Sequence, residues 1–156
     1  MKIATLGIIT RNDHILLGRK QGKPEIGEGT LNGPGGKLEL GETLVECLVR
    51  ETEEELGVIL DPTRLELCAV ITFFVNGVAD FEVYVYRANY FFGEPKETAS
   101  MVPEWHVIDK IPFGRMLESD DKWLPQLVRG EKFYANVYYK ERAKGFLKIE
   151  FSPFID

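Results

Sequence analysis

The chain has 156 residues, 44% hydrophobic and 12% aromatic, which is enough for one substantial core without disulfides, and it carries only two cysteines, Cys47 and Cys68. Nineteen Lys and Arg stand against 25 Asp and Glu, a formal net charge of −6, and the cations are scattered rather than gathered in the basic stripe that a binder of nucleic-acid polymers needs. The apolar run from Met1 to Thr10 is too short, and too soon broken by Arg11, Asn12 and Asp13, for a signal peptide or a membrane span, so a cytoplasmic protein with reduced thiols is expected.

In chain order, alternating or continuous apolar runs predict strands over Ile3 to Thr10, His14 to Arg19, Leu65 to Val75, Phe81 to Tyr90, Trp105 to Ile108, Lys132 to Tyr139 and Phe146 to Phe151. Hairpin turns fall at Arg11 to Asp13, at Asn76-Gly77 and at Ala143 to Gly145. Between the second and third strands, Thr43 followed three residues later by Glu46 reads as a capping box. Leu44, Cys47, Leu48 and Leu56 form an apolar stripe behind it, and Gly57 supplies a left-handed stop. A second helix runs from Asp120 or Asp121 to Val128 and ends before Gly130. With no repeat, linker or low-complexity tract, residues 1–156 read as one domain, and mixed strands with two helices predict an α/β/α sandwich.

The chemistry concentrates around the first helix. Positions three and four apart share a helix face, so Glu51, Glu54 and Glu55 present three carboxylates to one small volume. Like charges held that close repel and invite a divalent cation, and oxygen-only ligation favours Mg²⁺, with Mn²⁺ as a substitute, over Zn²⁺. Upstream, Asn32, Gly33, Gly35 and Gly36 surround Pro34, a stretch of bare backbone in which Gly36 offers its carbonyl to the same ion. Arg50 has two partners in reach, Glu46 one turn earlier or Glu42 at the helix entrance, and either pairing gives it a structural role with Glu42 beside it. A small polyphosphate suits the remaining cations, with Arg19, Lys20, Lys23 and Lys37 as candidates. An acidic run alone is usually a solvated face, but solvation does not require the Gly36, Glu42, Arg50-Glu51, Glu54-Glu55 and Gly57-Val58 pattern that accompanies this one.

Those residues resemble, at matching spacing, the signature of the Nudix hydrolases, with Thr52 standing where that family usually has an aliphatic residue. The resemblance implies an α/β/α sandwich whose catalytic helix follows a Gly-rich loop, and a Mg²⁺-dependent cleavage of a pyrophosphate bond in a nucleotide. Glu51, Glu54 and Glu55 would be catalytic, and together with Gly36 would be the metal ligands. The general base stays open between Glu54, Glu55 and acidic residues of a later loop, Glu97 or Glu104.

A more specific likeness, to the MutT-like oxidised-purine nucleoside triphosphatases, extends over nearly the whole chain through Leu16-Leu17-Gly18, Asn32-Gly33, Met101-x-Pro103-x-Trp105, Ile111-Pro112-Phe113, Met116 and Trp123-x-Pro125. It implies hydrolysis of an oxidised purine triphosphate such as 8-oxo-dGTP to the monophosphate and pyrophosphate, which sanitises the nucleotide pool. Asn32, Thr5, Lys20 and Phe81 match positions lining the base pocket, and the acidic pair that reads the base edge would fall near Asp120 and Asp121, of which only Asp120 matches without a one-residue shift. Three departures mark the chain: Ser119-Asp120 replaces two adjacent Asp, Leu117 replaces a Trp expected to stack on the base, and Ser100 replaces a Glu before Met101.

The expected partner is a small nucleotide, with no membrane and a monomer or weak dimer. Two other readings stand beside this one. A relative acting on a normal dNTP, a dinucleoside polyphosphate or ADP-ribose would keep the helix and differ in the pocket. A non-catalytic nucleotide sensor would be expected to lose a helix carboxylate, and all three are present.

Overall fold

A computed structural model of the chain describes residues 1–22 and 29–155. Strands β1 (Lys2–Arg11) and β2 (His14–Lys20) are joined by Asn12 and Asp13, both at positive φ, the backbone that a two-residue hairpin between right-twisted strands requires. After β3 (Leu31–Asn32) comes helix α1 (Leu44–Leu56), then β4 (Ile59–Leu60), β5 (Glu66–Val75) and β6 (Val78–Ala88). The chain continues through β7 (Phe91–Phe92), β8 (Met101–Val107), α2 (Asp120–Val128), β9 (Phe133–Glu141) and β10 (Lys144–Pro153).

Eight strands form one mixed sheet in the order β10-β9-β5-β6-β1-β2-β3, with β8 also paired to β2, while β4 and β7 make a small ribbon. The β1–β6 and β5–β9 pairs are parallel and the other pairs are antiparallel. Alternation along a strand sends successive side chains to opposite faces, and both faces are covered. Ile15 and Leu17 join a core with Ile71, Val85, Trp123, Leu124 and Leu127 under α2. Leu16, between them, joins Leu48, Leu56, Val58 and Met101 under α1. The sheet is therefore the middle layer of an α/β/α sandwich.

The seven predicted strands are all present, with shifted ends. The largest shift is in β8, which begins at Met101 rather than Trp105 because it pairs along the whole of β2, from Lys20 opposite Met101 to His14 opposite Val107. Pro103 lies inside that run and lacks the N–H of a ladder donor, which hides the strand from a propensity reading; β8 pairs with β2 alone among the described strands.

Helix α1 begins with the capping box: the Glu46 amide donates to Thr43 Oγ1 at 3.1 Å and the Thr43 amide to Glu46 Oε1 at 2.9 Å. It ends at Gly57, φ 73°, whose amide donates to the Glu53 carbonyl at 2.9 Å. Thr52 lies on its buried face, fully enclosed, and its hydroxyl has no hydrogen-bond partner among the described residues. Replacing an unsatisfied buried hydroxyl by a methyl of similar shape removes a desolvation cost. Thr52→Val is therefore expected to raise stability by about 1 kcal/mol with activity within about twofold of wild type. A denaturant titration checks this, and a lowered midpoint would mean that the hydroxyl is satisfied in solution.

Candidate active site

Between β3 and α1 the chain folds against β1. The Gly7 amide donates to the Pro34 carbonyl at 2.7 Å and the Thr5 amide to the Gly36 carbonyl at 2.9 Å, so this loop runs along the strand like a further partner. Gly35 adopts φ 153°, and a Cβ there would collide with the Thr5 backbone carbonyl. A Cβ on Gly36 would sit 2.6 Å from the Glu51 carboxyl carbon. The absence of side chains is what lets the loop press against both β1 and the acidic face of α1.

Arg50 organises that face. Its Nε donates to Glu42 Oε2 at 2.6 Å and its Nη2 to Glu42 Oε1 at 2.9 Å, a forked pair, while Nη1 donates to Glu51 at 2.9 Å and to Glu54 at 3.4 Å. Of the two partners open in the sequence, Arg50 takes Glu42, since Glu46 is engaged in the cap. The guanidinium holds the Glu42 carboxyl well below the usual carboxylate range, at about 2.

The other acids respond to their surroundings. Burial pushes Glu51 up against the pull of Arg50, and pushes Glu55 up to about 7 although the Gly35 amide donates to its Oε1 at 2.8 Å. Glu54 is the exposed member, with 59% of its side chain accessible and only the longer bond to Arg50. Among the described residues no group of three or more His, Cys, Asp or Glu side chains is gathered as a ready metal cage: Glu55 turns to Gly35, and Glu51 and Glu54 turn to Arg50. The donor set is all oxygen, however, and the close approach of Gly36 to the Glu51 carboxyl brings a bare backbone segment to that set. These residues fit a hard divalent cation.

Beside this face lies a cavity lined by Thr5, Lys20, Asn32, Gly35, Gly36 and Glu55. Leu117, Asp120, Trp123 and Tyr139 line it too, from α2, the loop before it and β9. Asn32 uses its Oδ1 to accept the Gly33 amide at 2.9 Å, which leaves the carboxamide NH₂ as its donor toward the cavity. Lys20 lines the cavity and acts electrostatically on both Glu55 and Asp120. Phe81 lines the cavity as well, but with Lys2 Nζ 5.5 Å and Arg142 Cζ 5.3 Å from its ring centroid it packs against two cations of the protein itself.

Other predicted residues lie elsewhere. Asp121 is outside the cavity lining, exposed, and ion-paired to Lys122 at 3.5 Å, because adjacent helical positions diverge by about 100° and Asp120 takes the inward one. Lys37 is exposed and outside the lining, its backbone bridged to Ala4. Arg19 turns to Glu104 at 3.9 Å, and Lys23 falls outside the described residues. Glu104 is taken up by Arg115 at 2.8 Å and by His106 at 2.7 Å, and Glu97 accepts from Gln21 at 3.2 Å, so neither lines the cavity. Ser100 is exposed, and its loop is tied to α1 by Thr98, which donates to the Glu55 carbonyl at 2.7 Å.

Sequence reasoning missed Tyr139, which stands at the cavity with its hydroxyl against Ser119. The alternation of Phe133, Ala135, Val137 and Tyr139 marks an inward face, but which strand that face opposes depends on the parallel β5–β9 pairing.

Asp120 is the most enclosed acid of the cavity. Its Oδ2 has no hydrogen-bond partner among the described residues, nor has the Trp123 indole N–H, and burial pushes the carboxyl up to about 7 against smaller opposing effects that include the Leu117 backbone and Lys20. An acid whose pKa is raised by folding holds its proton in the native state while the unfolded chain releases it. This contribution to stability should decline as pH rises from about 4 to about 7 and be flat beyond; Glu55, also raised to about 7, acts in the same direction, so Asp120→Asn should reduce the decline rather than abolish it. Denaturant midpoints at pH 5 and pH 8 measure it; parallel behaviour of the two proteins would contradict it.

Comparison with known proteins identifies a family and relatives for the chain. Residues 1–127 match the family model of the NUDIX domain. The chain is similar to the oxidized purine nucleoside triphosphate hydrolase of Danio rerio, 36% identical over 140 residues that cover 89% of this chain and 86% of the relative. The enzyme of the same name from Mus musculus is 32% identical over 142 residues, 90% of this chain and 88% of the relative. Among solved structures, the MutT protein from Bacillus halodurans aligns with a TM-score of 0.80 over 99% of this chain and 100% of its own, at 24% identity, a likeness of fold.

Proposed function

The chain belongs to the Nudix family of pyrophosphohydrolases, and from that premise we propose that it hydrolyses a purine nucleoside triphosphate, oxidised purines such as 8-oxo-dGTP included, to the monophosphate and pyrophosphate. In this reading residues 1–156 work as one domain, in the cytoplasm, as a monomer or weak dimer that sanitises the nucleotide pool. The observation that carries it is that Gly36 and Glu55 line the same cavity as Asn32, Lys20 and Asp120, so groups suited to phosphates and groups suited to a base edge share one enclosure.

Glu51, Glu54, Glu55 and the Gly36 carbonyl would hold Mg²⁺, or Mn²⁺ in its place. When bound, the cation supplies neutralisation of the phosphate charge and of the charge developing on the departing pyrophosphate. Arg50 keeps Glu51 and Glu54 in register with Glu42. Glu54, the most exposed of the three and the least committed to the protein, is the carboxylate assigned to take a proton from the attacking water. Lys20 lies along the polyphosphate, with Lys37 at the outer edge of the loop. Asn32 and Asp120 meet the base edge, Asp120 donating when protonated and accepting when ionised, and Thr5 and Phe81 bound the cavity without reading the base.

Leu117 in place of a stacking Trp and Ser119 in place of a second Asp favour one other reading, a Nudix pyrophosphatase for a normal dNTP, a dinucleoside polyphosphate or ADP-ribose. Pyrophosphate-bond cleavage with Mg²⁺ across 8-oxo-dGTP, 2-oxo-dATP, the normal dNTPs, ADP-ribose and diadenosine polyphosphates separates the two. The highest kcat/KM on a purine triphosphate is expected. Preference for ADP-ribose or a dinucleoside polyphosphate would overturn the pocket assignment and retain the catalytic helix.

A further inference from the structure

Helix α2 begins without a side-chain cap. Ser119, at its N-cap, has φ −77° and ψ −16°, a helical backbone rather than the extended one from which a serine hydroxyl reaches the amides of the first turn. Its polar groups are met from another element. Tyr139 on β9 accepts the Ser119 amide at 3.0 Å and donates to Ser119 Oγ at 2.8 Å, and both residues are buried, Ser119 completely. The next residue is Asp120, whose Oδ2 is buried without a partner among the described residues. Tyr139 and Asp120 line the same cavity.

We infer that Tyr139 is a positioning residue for base recognition: by clasping the amide and the hydroxyl of Ser119 it anchors the start of α2 and holds the Asp120 carboxyl toward the cavity. The inference rests on the purine-triphosphate reading for the identity of the ligand and on geometry for the role of the phenol. It gives a physical meaning to the serine at position 119. A second carboxylate there would repel Asp120 across one peptide unit, whereas a serine already bonded to a phenol leaves Asp120 as the single acid that can exchange a proton with a base edge at this part of the cavity. The clasped hydroxyls are occupied by each other, so they contribute order rather than a contact to the ligand.

The charged groups that act on Asp120 are Lys20 from β2 and Asp121 on α2 itself; Asp120 and Glu118, in the preceding loop, act in turn on Tyr139 from β9. Of these, Tyr139 alone is hydrogen-bonded to the residue that precedes Asp120. Loss of its hydroxyl would free the Ser119 hydroxyl to turn to Asp120 and would admit water to the first turn, both of which favour the ionised acid.

The test uses Tyr139→Phe, which keeps the ring and deletes the clasp. Two readouts are taken: the titration of the Asp120 carboxyl by carbon NMR in the ligand-free protein, and the dissociation constant of dGMP by calorimetry. The expected result is a downward displacement of the Asp120 titration toward the ordinary carboxylate range, with dGMP binding weakened about tenfold. An unchanged titration in Tyr139→Phe overturns the inference whatever the activity. A fall in Tm with titration and binding both unaltered also overturns it, by reducing Tyr139 to a packing role. Failure of the purine reading looks different: the unaltered protein then binds no dGMP, while the Asp120 titration still reports whether Tyr139 positions the acid. Ser119→Ala, which retains the main-chain half of the clasp, should give an intermediate displacement; a larger effect than Tyr139→Phe would assign the role to the serine and overturn the inference.

Discussion

Glu54→Gln is expected to lower kcat by about 10²- to 10⁴-fold with little change in KM and none in fold. The substitution keeps size and polarity and removes the negative charge and the ability to take a proton. Glu54 is more than half exposed and its bond to Arg50 is 3.4 Å, so the loss of that pair has a small effect on stability. Activity and stability thus separate at this position. Steady-state kinetics on the best purine triphosphate, alongside a thermal unfolding curve, measures both. A kcat within about tenfold of wild type would move the role of base to Glu55 or to a residue outside the acidic helix.

Arg50→Ala is expected to reduce kcat/KM by about 100-fold and to lower Tm by several degrees, a combined effect that Glu54→Gln does not have. One guanidinium joins Glu42, Glu51 and Glu54, and without it three like charges lose their common donor and spread apart. Arg50→Lys should recover only part of the loss, because an ammonium cannot reproduce the forked pair with Glu42. The pair also sets a pH signature. Glu42 has a folded-state pKa lowered to about 2 from 4.5, so the stability it contributes is present above the ordinary value and is lost as pH falls toward 2. That acid-side decline should be weaker in Arg50→Ala. Wild-type kcat/KM in Arg50→Ala would show that the carboxylates are held by other means.

Local signals were readable because their causes are local. The ends of α1 follow from Thr43, Glu46 and Gly57, each acting within one turn, and the acidic face follows from helical spacing. What depends on distant pairing was not readable. The two-residue strands Leu31–Asn32, Ile59–Leu60 and Phe91–Phe92 have no periodicity of their own. The choice of Glu42 over Glu46 by Arg50 needed the path of the loop before the helix. At the candidate site, Asp120 and Asp121 are adjacent in sequence and unequal in space, since the helix turns one inward and the other to Lys122. Tyr139 gained its place from the parallel β5–β9 pair, which joins residues more than sixty positions apart.

The most direct test of the account is the identity of the products formed from a purine nucleoside triphosphate with Mg²⁺, followed by phosphorus NMR. The expected result is equimolar nucleoside monophosphate and pyrophosphate, with no nucleoside diphosphate at any time, and loss of both signals in Glu54→Gln. Release of inorganic phosphate with accumulation of the nucleoside diphosphate would contradict the account, because it would place the attack at the terminal phosphate rather than on the bond that the acidic helix is proposed to address.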